Sequence, residues 1–306
     1  MPESSPKQRT LMLVIVAFAT VYVVWGSTYF FIQVAVRQMP PMILGTIRFV
    51  IAGGLMLAWC ILRREKTWDR QQLKTSVITG LLMLLGGTGA VIWAEKWLPS
   101  SLVAILISSA PFWFVILDFP RLKENLTSKS IMAGLVFGFI GVLMMFGENI
   151  ADAFMLAGNT EELIGLGILL FGTISWAGGS LYSKYHSSGS ANVTSGWQML
   201  SAGIAFLIGS LILGEWNGFD PAAVSTGAWL SVLYLIVFGS LAAFTAYMWL
   251  LKVRSATQVS TYAYVNPLIA VLLGVVFAGE HLSLLQIGGL VVILASVLLI
   301  NVAKYR

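Results

Sequence analysis

Apolar residues along this chain form long runs separated by short polar breaks. Ten of these runs have about the 20 residues that a helix needs to cross a bilayer core of about 30 Å. Their approximate limits are 12–36, 42–62, 73–94, 100–117, 130–147, 163–183, 193–213, 228–251, 256–278 and 284–303. The pattern therefore predicts an all-α integral membrane protein with ten transmembrane helices.

The composition agrees with this pattern. Of the 306 residues, 58% are hydrophobic and 10% are charged, whereas ordinary globular chains carry about 25% charged residues. The first apolar run, 11–36, is too long for a signal-peptide core of about 7 to 15 residues, so we expect a retained helix. Together these features exclude a soluble globular protein.

Several kinds of chemistry find no support in the chain. A single Cys60 cannot form an internal disulfide, and the sequence contains no Cys/His cluster with zinc spacing and no Gly-rich phosphate loop. We therefore expect no metal, no cofactor and no ATPase motor. The basic residues are scattered through short loops, so nucleic acid is not an expected partner.

The charges in the loops predict the orientation. If the N-terminus lies in the cytoplasm, 15 of the 18 Lys and Arg residues fall on the cytoplasmic side, as the positive-inside rule requires. Eight of the thirteen acidic residues fall on or near the opposite side. Because a wrong helix count would scramble this distribution, it favours ten spans with both termini cytoplasmic, in a cell membrane such as the bacterial inner membrane.

An internal repeat relates the two halves. Pro111 precedes the segment ENLT at 124–127 by thirteen residues, and Pro267 precedes EHLS at 280–283 by the same distance. This offset of 156 also pairs Trp93 with Trp249, while an offset near 150 pairs Trp25 with the 176–180 segment and Arg48 with Gln198. A block of five helices is therefore duplicated.

Five is an odd number, so the second block must enter the membrane from the opposite side. Inverted repeats of this kind place a solute site near mid-membrane between the halves, which favours a transporter with a central cavity. We expect a cytoplasmic tail at 1–11, a first repeat at 12–150, an external linker at 151–162, a second repeat at 163–303 and a tail at 304–306.

Other classes stay open at this point. A duplicated bundle also serves as a membrane scaffold, a channel or a lipid scramblase. A membrane-embedded enzyme would need paired acids, a Ser/His pair or a metal cluster within the spans, and the sequence contains none.

Four segments resemble one transporter family. They are WGSTYF at 25–30, PP at 40–41, RF at 48–49 and YAYVNP at 262–267, and they are similar to segments of the EamA-type permeases of the drug/metabolite transporter superfamily. The resemblance runs from about Val14 to Asn301. It implies ten helices, cytoplasmic termini, a cavity between two five-helix halves, and export of amino acids, other metabolites or drugs.

One charged residue lies well inside a span. Arg48 is about seven residues into the second span, so it sits roughly 10 Å below the helix end. A charge at this depth needs a partner or water, and Glu95, at the end of the third span, has a similar depth. Three roles stay open: a structural ion pair, a gate that breaks on opening, or recognition of a substrate carboxylate by Arg48.

Aromatic residues lie at mid-span, away from the headgroup level where anchoring aromatics are expected. Such rings can line a cavity for an organic solute or a cation, or simply pack between helices. The candidate cavity residues are Trp25, Ser27, Tyr29, Arg48, Trp93, Trp176, Tyr262, Tyr264 and Asn266.

Two prolines interrupt helix hydrogen bonding at matching positions of the halves. Pro267 follows Asn266, lacks an N–H and frees the carbonyl of Ala263, while Pro111 does the same for Ile107. Freed carbonyls are tolerated at this depth beside protein or a wet cavity. We expect kinks at both prolines that allow the halves to rock, or static packing.

The sequence therefore predicts a secondary carrier that exports a small organic solute by alternating access, through facilitated diffusion or proton exchange; a lipid scramblase is the alternative. Its expected partners are the solute and the lipid bilayer. Gly134 and Gly138 form a small-residue pair that favours close helix packing within the bundle or between copies, so monomer or homodimer stays undetermined.

Overall fold

The computed structural model describes residues 6–98, 100–156, 160–278 and 283–302, and all regular secondary structure in these ranges is helical. The helices are α1 (Pro6–Val36), α2 (Pro41–Leu62), α3 (Arg70–Ala94), α4 (Ser100–Ile107), α5 (Ala110–Leu117), α6 (Leu122–Thr127), α7 (Lys129–Leu156), α8 (Thr160–His186), α9 (Ala191–Ile212), α10 (Thr226–Val253), α11 (Ala256–Val259), α12 (Tyr262–Ala278) and α13 (Leu284–Val302). We call the end of the bundle where α1 begins the N-terminal end, and the end where α1 finishes the far end.

Membrane spans account for most of these helices. Within the described residues, seven helices are long and apolar enough to cross a bilayer, namely α1, α2, α3, α8, α9, α10 and α13. An eighth candidate consists of 103–117 and 119–127, which are bent by 68° relative to each other. The all-helical membrane fold is thus confirmed, whereas the number of ten spans stays a prediction.

The predicted linker and tails differ partly from the structure. Helix α7 continues to Leu156 and α8 begins at Thr160, so helix occupies most of the segment expected to be an external linker. Helix α1 already begins at Pro6, inside the predicted N-terminal tail. The predicted C-terminal tail, 304–306, lies outside the described residues.

Side chains fix the start of several helices. The Asp69 carboxylate accepts a hydrogen bond from the Gln72 N–H at 3.0 Å and so caps α3. Helix α2 has proline at its first position, where the missing N–H costs nothing. The Glu215 carboxylate, in the connection between α9 and α10, accepts bonds from the next two N–H groups, those of Met42 and Ile43.

Two helices contain a π-helical stretch at corresponding positions. In α3 the stretch is Leu81–Thr88, and in α10 it is Leu235–Phe244. The offset of 156 moves 81–88 onto 237–244, so the stretches are equivalent in the two halves. Because π-helices are rare and concentrate at functional sites, this pair directs attention to the middle of the bundle.

The most extensive helix–helix packing pairs α2 with α9 and α7 with α13. Glycines allow these backbones to approach closely: a Cβ atom on Gly53 would lie 2.5 Å from the Leu200 nitrogen, and one on Gly289 would lie 2.6 Å from the Gly141 oxygen. Gly134 and Gly138 also face partners within the bundle, Ile300 and the Tyr264 ring respectively. The four helices thus form two tightly packed pairs.

Candidate functional site

A cavity lies between the halves, with an empty volume of about 750 Å³ including the part open to solvent. Its lining contains six of the predicted cavity residues, namely Trp25, Tyr29, Arg48, Trp176, Tyr262 and Asn266. It also contains the hydroxyl side chains of Thr28, Thr88, Thr173 and Ser240. All lining residues of α2 and α3 belong to the half of each helix nearer the far end.

An aromatic cluster forms one wall of this cavity. Trp25 of α1 and Trp176 of α8 meet edge to face with ring centroids 5.4 Å apart. Tyr262 lies 5.0 Å from Trp25, and Tyr247 lies 4.9 Å from Trp25 and 5.5 Å from Trp176. These separations are those of stabilising aromatic pairs, so the cluster holds its rings in fixed orientations around the cavity.

The π-helical stretches make room for the two tryptophans. A Cβ atom on Gly87 in α3 would lie 2.8 Å from the Trp176 ring. On the opposite side, the Trp25 indole N–H donates a hydrogen bond to the Gly239 carbonyl in α10 at 3.2 Å. Each tryptophan therefore contacts a glycine in the π-helix of the other half.

Arg48 is buried in the cavity wall with an exposed fraction of 5%. Its Nε donates to the Ser240 hydroxyl in the π-helix of α10 at 2.9 Å, and its guanidinium carbon lies 4.9 Å from the Phe49 ring centroid. Its Nη1 is buried without a hydrogen-bond partner. A buried cationic donor left unpaired is costly, so this group is prepared to bind an acceptor.

Glu95 does not pair with Arg48 in this structure. It follows α3 at the far end with an exposed fraction of 4%, and both of its carboxylate oxygens are buried without a hydrogen-bond partner. Among the described residues the ion pair is a different one, Lys66 with Asp69 at 3.7 Å. The static ion-pair role is therefore absent from this conformation, and the gating and recognition roles stay predictions.

Asn266 is a second polar group of the cavity with unused bonding capacity. It lies one turn after Tyr262 on the same face of α12, with an exposed fraction of 1%, and its Oδ1 has no hydrogen-bond partner. The unpaired acceptor Asn266 Oδ1 and the unpaired donor Arg48 Nη1 thus belong to residues that line the same aromatic cavity. A solute that carries both a donor and an acceptor would satisfy them together.

Three predicted residues lie outside the cavity lining. The Ser27 hydroxyl bonds to the Val24 carbonyl at 2.7 Å and to the Tyr234 hydroxyl at 2.6 Å. The Tyr264 hydroxyl donates to the Leu135 carbonyl at 3.0 Å. Trp93 packs against Trp97 with centroids 5.3 Å apart, and the Trp93 Nε1 is buried without a partner. Ser27 and Tyr264 therefore bond to other helices in this conformation, and Trp93 packs against the segment that follows its own helix.

The two prolines occupy different local structures. Pro111 follows an interruption at Ser108 and Ser109, where α4 ends and α5 begins, and Pro267 lies inside the continuous helix α12. The 68° bend comes later, at Asp118, two residues before Pro120. The carbonyl of Ile107, which Pro111 leaves without a helical N–H donor, thus lies at a break between two helices. The rocking motion stays a prediction.

Two contributors to the site were missed by sequence reasoning. Tyr247 is fully buried, and its hydroxyl accepts the Trp176 indole N–H at 3.2 Å and bonds to Ser180 at 2.7 Å. Ser240 holds Arg48. Neither residue had a signal of its own in the sequence. Both lie on α10 three to four residues from Phe244, which lines the cavity in the structure but was not among the predicted cavity residues.

Polar contacts between the halves close the N-terminal end. Tyr22 bonds to Thr261 at 2.7 Å, and Tyr185 donates to Asp118 at 2.5 Å. Nearer the surface, Gln72 bonds to Thr194 at 3.0 Å, and the Trp197 indole N–H donates to a carbonyl in the α2–α3 connection at 2.8 Å. The far end is joined mainly through Glu215 and the start of α2.

The fold and the sequence are similar to those of known proteins. A solved protein structure superposes with a TM-score of 0.74 at 18% identity, covering 94% of this chain and 95% of that one, which shows a common fold. The uncharacterized inner membrane transporter YedA of Escherichia coli K12 is 36% identical over 97% of this chain and 93% of its own length.

A protein of Salmonella typhimurium named "probable amino-acid metabolite efflux pump" is 26% identical over 94% of this chain and 93% of its own length. The model of the EamA-like transporter family matches twice, at residues 12–147 and 163–302, which together make up most of the sequence. The chain therefore belongs to the EamA-like transporter family.

Proposed function

We propose that this protein is a secondary transporter that exports a small organic solute by alternating access of two inverted five-helix halves. The family and the transporters among its relatives support transport over catalysis. The observation that carries the proposal is the cavity between the halves, in which Arg48 and Asn266 present unpaired polar atoms among aromatic rings.

Helix packing supports the inverted arrangement. The repeat equates α2 with α9 and α7 with α13, and both pairs are antiparallel: Gly45 faces Phe206 while Gly196 faces Leu57, and Gly134 faces Ile300 while Gly289 faces Met145. Equivalent helices that run in opposite directions are what an inverted repeat requires. The two matches to the family model support halves at 12–150 and 163–303 and ten spans.

The asymmetry of the structure supports alternating access. Arg48 lines a cavity near the far end, whereas Gln198, its equivalent in the second half, is fully buried near the N-terminal end and donates to the Thr79 hydroxyl at 2.7 Å. In an inverted repeat the halves can exchange these environments, which would close the far end and open the N-terminal end. The bonds of Tyr22 and Asp118 would then break.

The chemistry of the cavity favours a zwitterionic organic solute such as an amino acid. Arg48 Nη1 offers a charged donor to a carboxylate, Asn266 Oδ1 offers an acceptor to an ammonium group, and the rings of Trp25, Trp176 and Tyr262 offer apolar and cation-binding faces. The Salmonella relative named as an amino-acid metabolite efflux pump supports both this class and the outward direction.

The experiment is efflux of labelled amino acids from proteoliposomes, with and without a pH gradient. We expect wild type to move at least one of them and Arg48→Ala and Trp176→Ala to lower kcat/KM at least tenfold, the effect of about 1.4 kcal/mol. Sensitivity of wild type to the gradient identifies proton exchange, and its absence identifies facilitated diffusion.

Matched controls come from the protein surface. Arg63→Ala removes an exposed arginine that directly follows α2, and Trp59→Ala removes an exposed tryptophan in the last turn of α2, so both should transport as wild type does. If the folded protein moves no amino acid of the panel but scrambles labelled phospholipid, it is a scramblase and not a carrier. An equal loss of transport in the control variants would show that the cavity residues have no specific role in transport.

A further inference from the structure

A second depression lies at the N-terminal end, between the halves. It has an empty volume of about 520 Å³ including the part open to solvent, and four basic side chains line it together with Val253, Ser255 and Gln258. The basic residues are Arg121 from the first half and Lys184, Lys252 and Arg254 from the second. We call these four residues the basic pocket.

Neutral carbonyls hold two of the cations in place. Lys184 Nζ donates to the carbonyls of Leu251 and Arg254 at 2.5 and 2.7 Å, and Lys252 Nζ donates to the Gly189 carbonyl at 2.7 Å. These bonds orient the ammonium groups without neutralising them. Each ammonium has three N–H donors, so protons remain free for a further acceptor.

Within the part of the chain that the structure describes, the carboxylates near the pocket are fewer than its cations. The charge of Asp118 acts on Lys184, and the charges of Asp118 and Glu124 act on the neighbouring Tyr185. Asp118 is fully buried and already accepts the Tyr185 hydroxyl. Four cations against two carboxylates leave an excess of two positive charges. The pocket therefore favours an anion that brings several acceptor oxygens, such as a phosphate group.

Exposed apolar side chains occur in the pocket lining and in the chain segments beside it. Val253 lines the pocket itself with an exposed fraction of 42%, and Phe119, two residues before Arg121, is 73% exposed. Ile116 and Leu126 on the flanking helices are also exposed. A phosphate group attached to acyl chains matches this combination better than a free anion does, since its chains would cover these side chains.

We propose that the basic pocket binds the headgroup phosphate of an anionic phospholipid from the adjoining leaflet. Basic pockets between transmembrane helices recognise anionic headgroups in this way. Because Arg121 belongs to one half and the other three cations to the other, the bound headgroup links the halves at the N-terminal end. It thereby stabilises the conformation in which that end is closed.

Retention of phosphatidylglycerol by the purified full-length protein, measured by native mass spectrometry against phosphatidylcholine, tests this proposal. The double variant Lys252→Gln/Arg254→Gln should bind phosphatidylglycerol about 30-fold more weakly, since each basic residue near an anionic surface contributes roughly fivefold in affinity. The control is Lys123→Gln/Lys129→Gln, which removes two exposed charges at the same end outside the pocket and should bind as wild type does.

Three results would overturn the proposal. An equal loss in both double variants would mean general surface attraction, and no preference for phosphatidylglycerol in wild type would mean no headgroup site. Full displacement of the lipid by millimolar inorganic phosphate would mean a free-anion site. Since the measurement is of binding, its outcome is independent of whether the protein transports amino acids.

Discussion

At the residue scale, the orientation of side chains decides which mid-span candidates belong to the cavity. Trp25, Thr28, Tyr29 and Ile32 have the spacing of one helix face and line the cavity together. Ser27, two residues from Trp25, points about 200° away and bonds to Tyr234 instead. The sequence therefore contained enough information to exclude Ser27 once Trp25 was accepted.

The same spacing separates the residues of α12. Tyr262 and Asn266 are four residues apart and share the cavity face, whereas Tyr264 lies between them on the opposite face. The contact of Arg48 with Ser240 was harder to predict, because it joins helices from different halves. Hydropathy predicts how deep a residue lies in the membrane but not how its helix is rotated. On depth alone, Glu95 was therefore as good a partner for Arg48 as Ser240.

Tyr247 provides a prediction at this scale. Replacing it with phenylalanine keeps the ring beside Trp25 and Trp176 but removes the hydroxyl that accepts the Trp176 indole N–H. A lost hydrogen bond of about 1 kcal/mol corresponds to a roughly fivefold rise in KM for the exported solute. Tyr182→Phe is the control, since Tyr182 stacks on His186 near the end of α8. Equal KM values in both variants would contradict a positioning role for Tyr247.

Glu95 provides a second prediction. A carboxyl group that is 4% exposed and lacks any bond to either oxygen is tolerated far better as the neutral acid than as the anion. Glu95→Gln, which is neutral at every pH, should therefore keep the thermal stability of wild type in detergent at pH 7, as measured by Tm. A Tm loss of several degrees would indicate a charged Glu95 with a partner.

At the scale of the helices, the two π-helical stretches could not be predicted from the sequence. The segments 81–88 and 235–244 are rich in apolar residues and glycine, which suit an α-helix inside a membrane equally well. Glycines in both stretches lie against side chains of the other half, Gly87 against Trp176 and Gly239 against Arg48, and such contacts are not visible in a hydropathy pattern. The helix lengths, by contrast, followed from the apolar runs, because bilayer thickness fixes them.

Glycine variants test the close approach at the first π-helix. Gly87→Ala places a Cβ atom 2.8 Å from the Trp176 ring, so the ring must move into the cavity, and we expect transport to fall at least tenfold. Gly178→Ala on α8 is the matched control, because nothing lies within 4 Å of the added Cβ. Comparable transport by the two variants would show that the fit between Gly87 and Trp176 is not needed.

The start of α2 provides another test at this scale. Glu215→Ala removes the carboxylate that accepts the N–H groups of Met42 and Ile43, and loss of a helix cap costs about 1 kcal/mol. We expect a lower Tm in detergent. Asp220→Ala removes an exposed acid from the same connection that caps only a three-residue 3₁₀ turn, so it should change Tm less. A Tm loss equal to that of Asp220→Ala would mean that Glu215 does not stabilise α2.

At the scale of the whole molecule, the repeat and the loop charges predict a topology that labelling can check. In a Cys60→Ser background, Lys66→Cys and Ser188→Cys should react with an impermeant maleimide from the cytoplasmic side. Arg37→Cys and Asn217→Cys should react from outside. Reaction of Lys66→Cys and Ser188→Cys from opposite sides would exclude five spans in each half.

Alternating access can be tested by labelling a cavity cysteine from each side of the membrane. Thr88→Cys in the Cys60→Ser background lines the cavity. We expect reaction from the far side, and a shift toward reaction from the N-terminal side when Tyr22→Phe and Tyr185→Phe remove two hydroxyl groups that join the halves at that end. Equal reaction from both sides, unchanged by those two substitutions, would indicate a continuous channel and contradict alternating access.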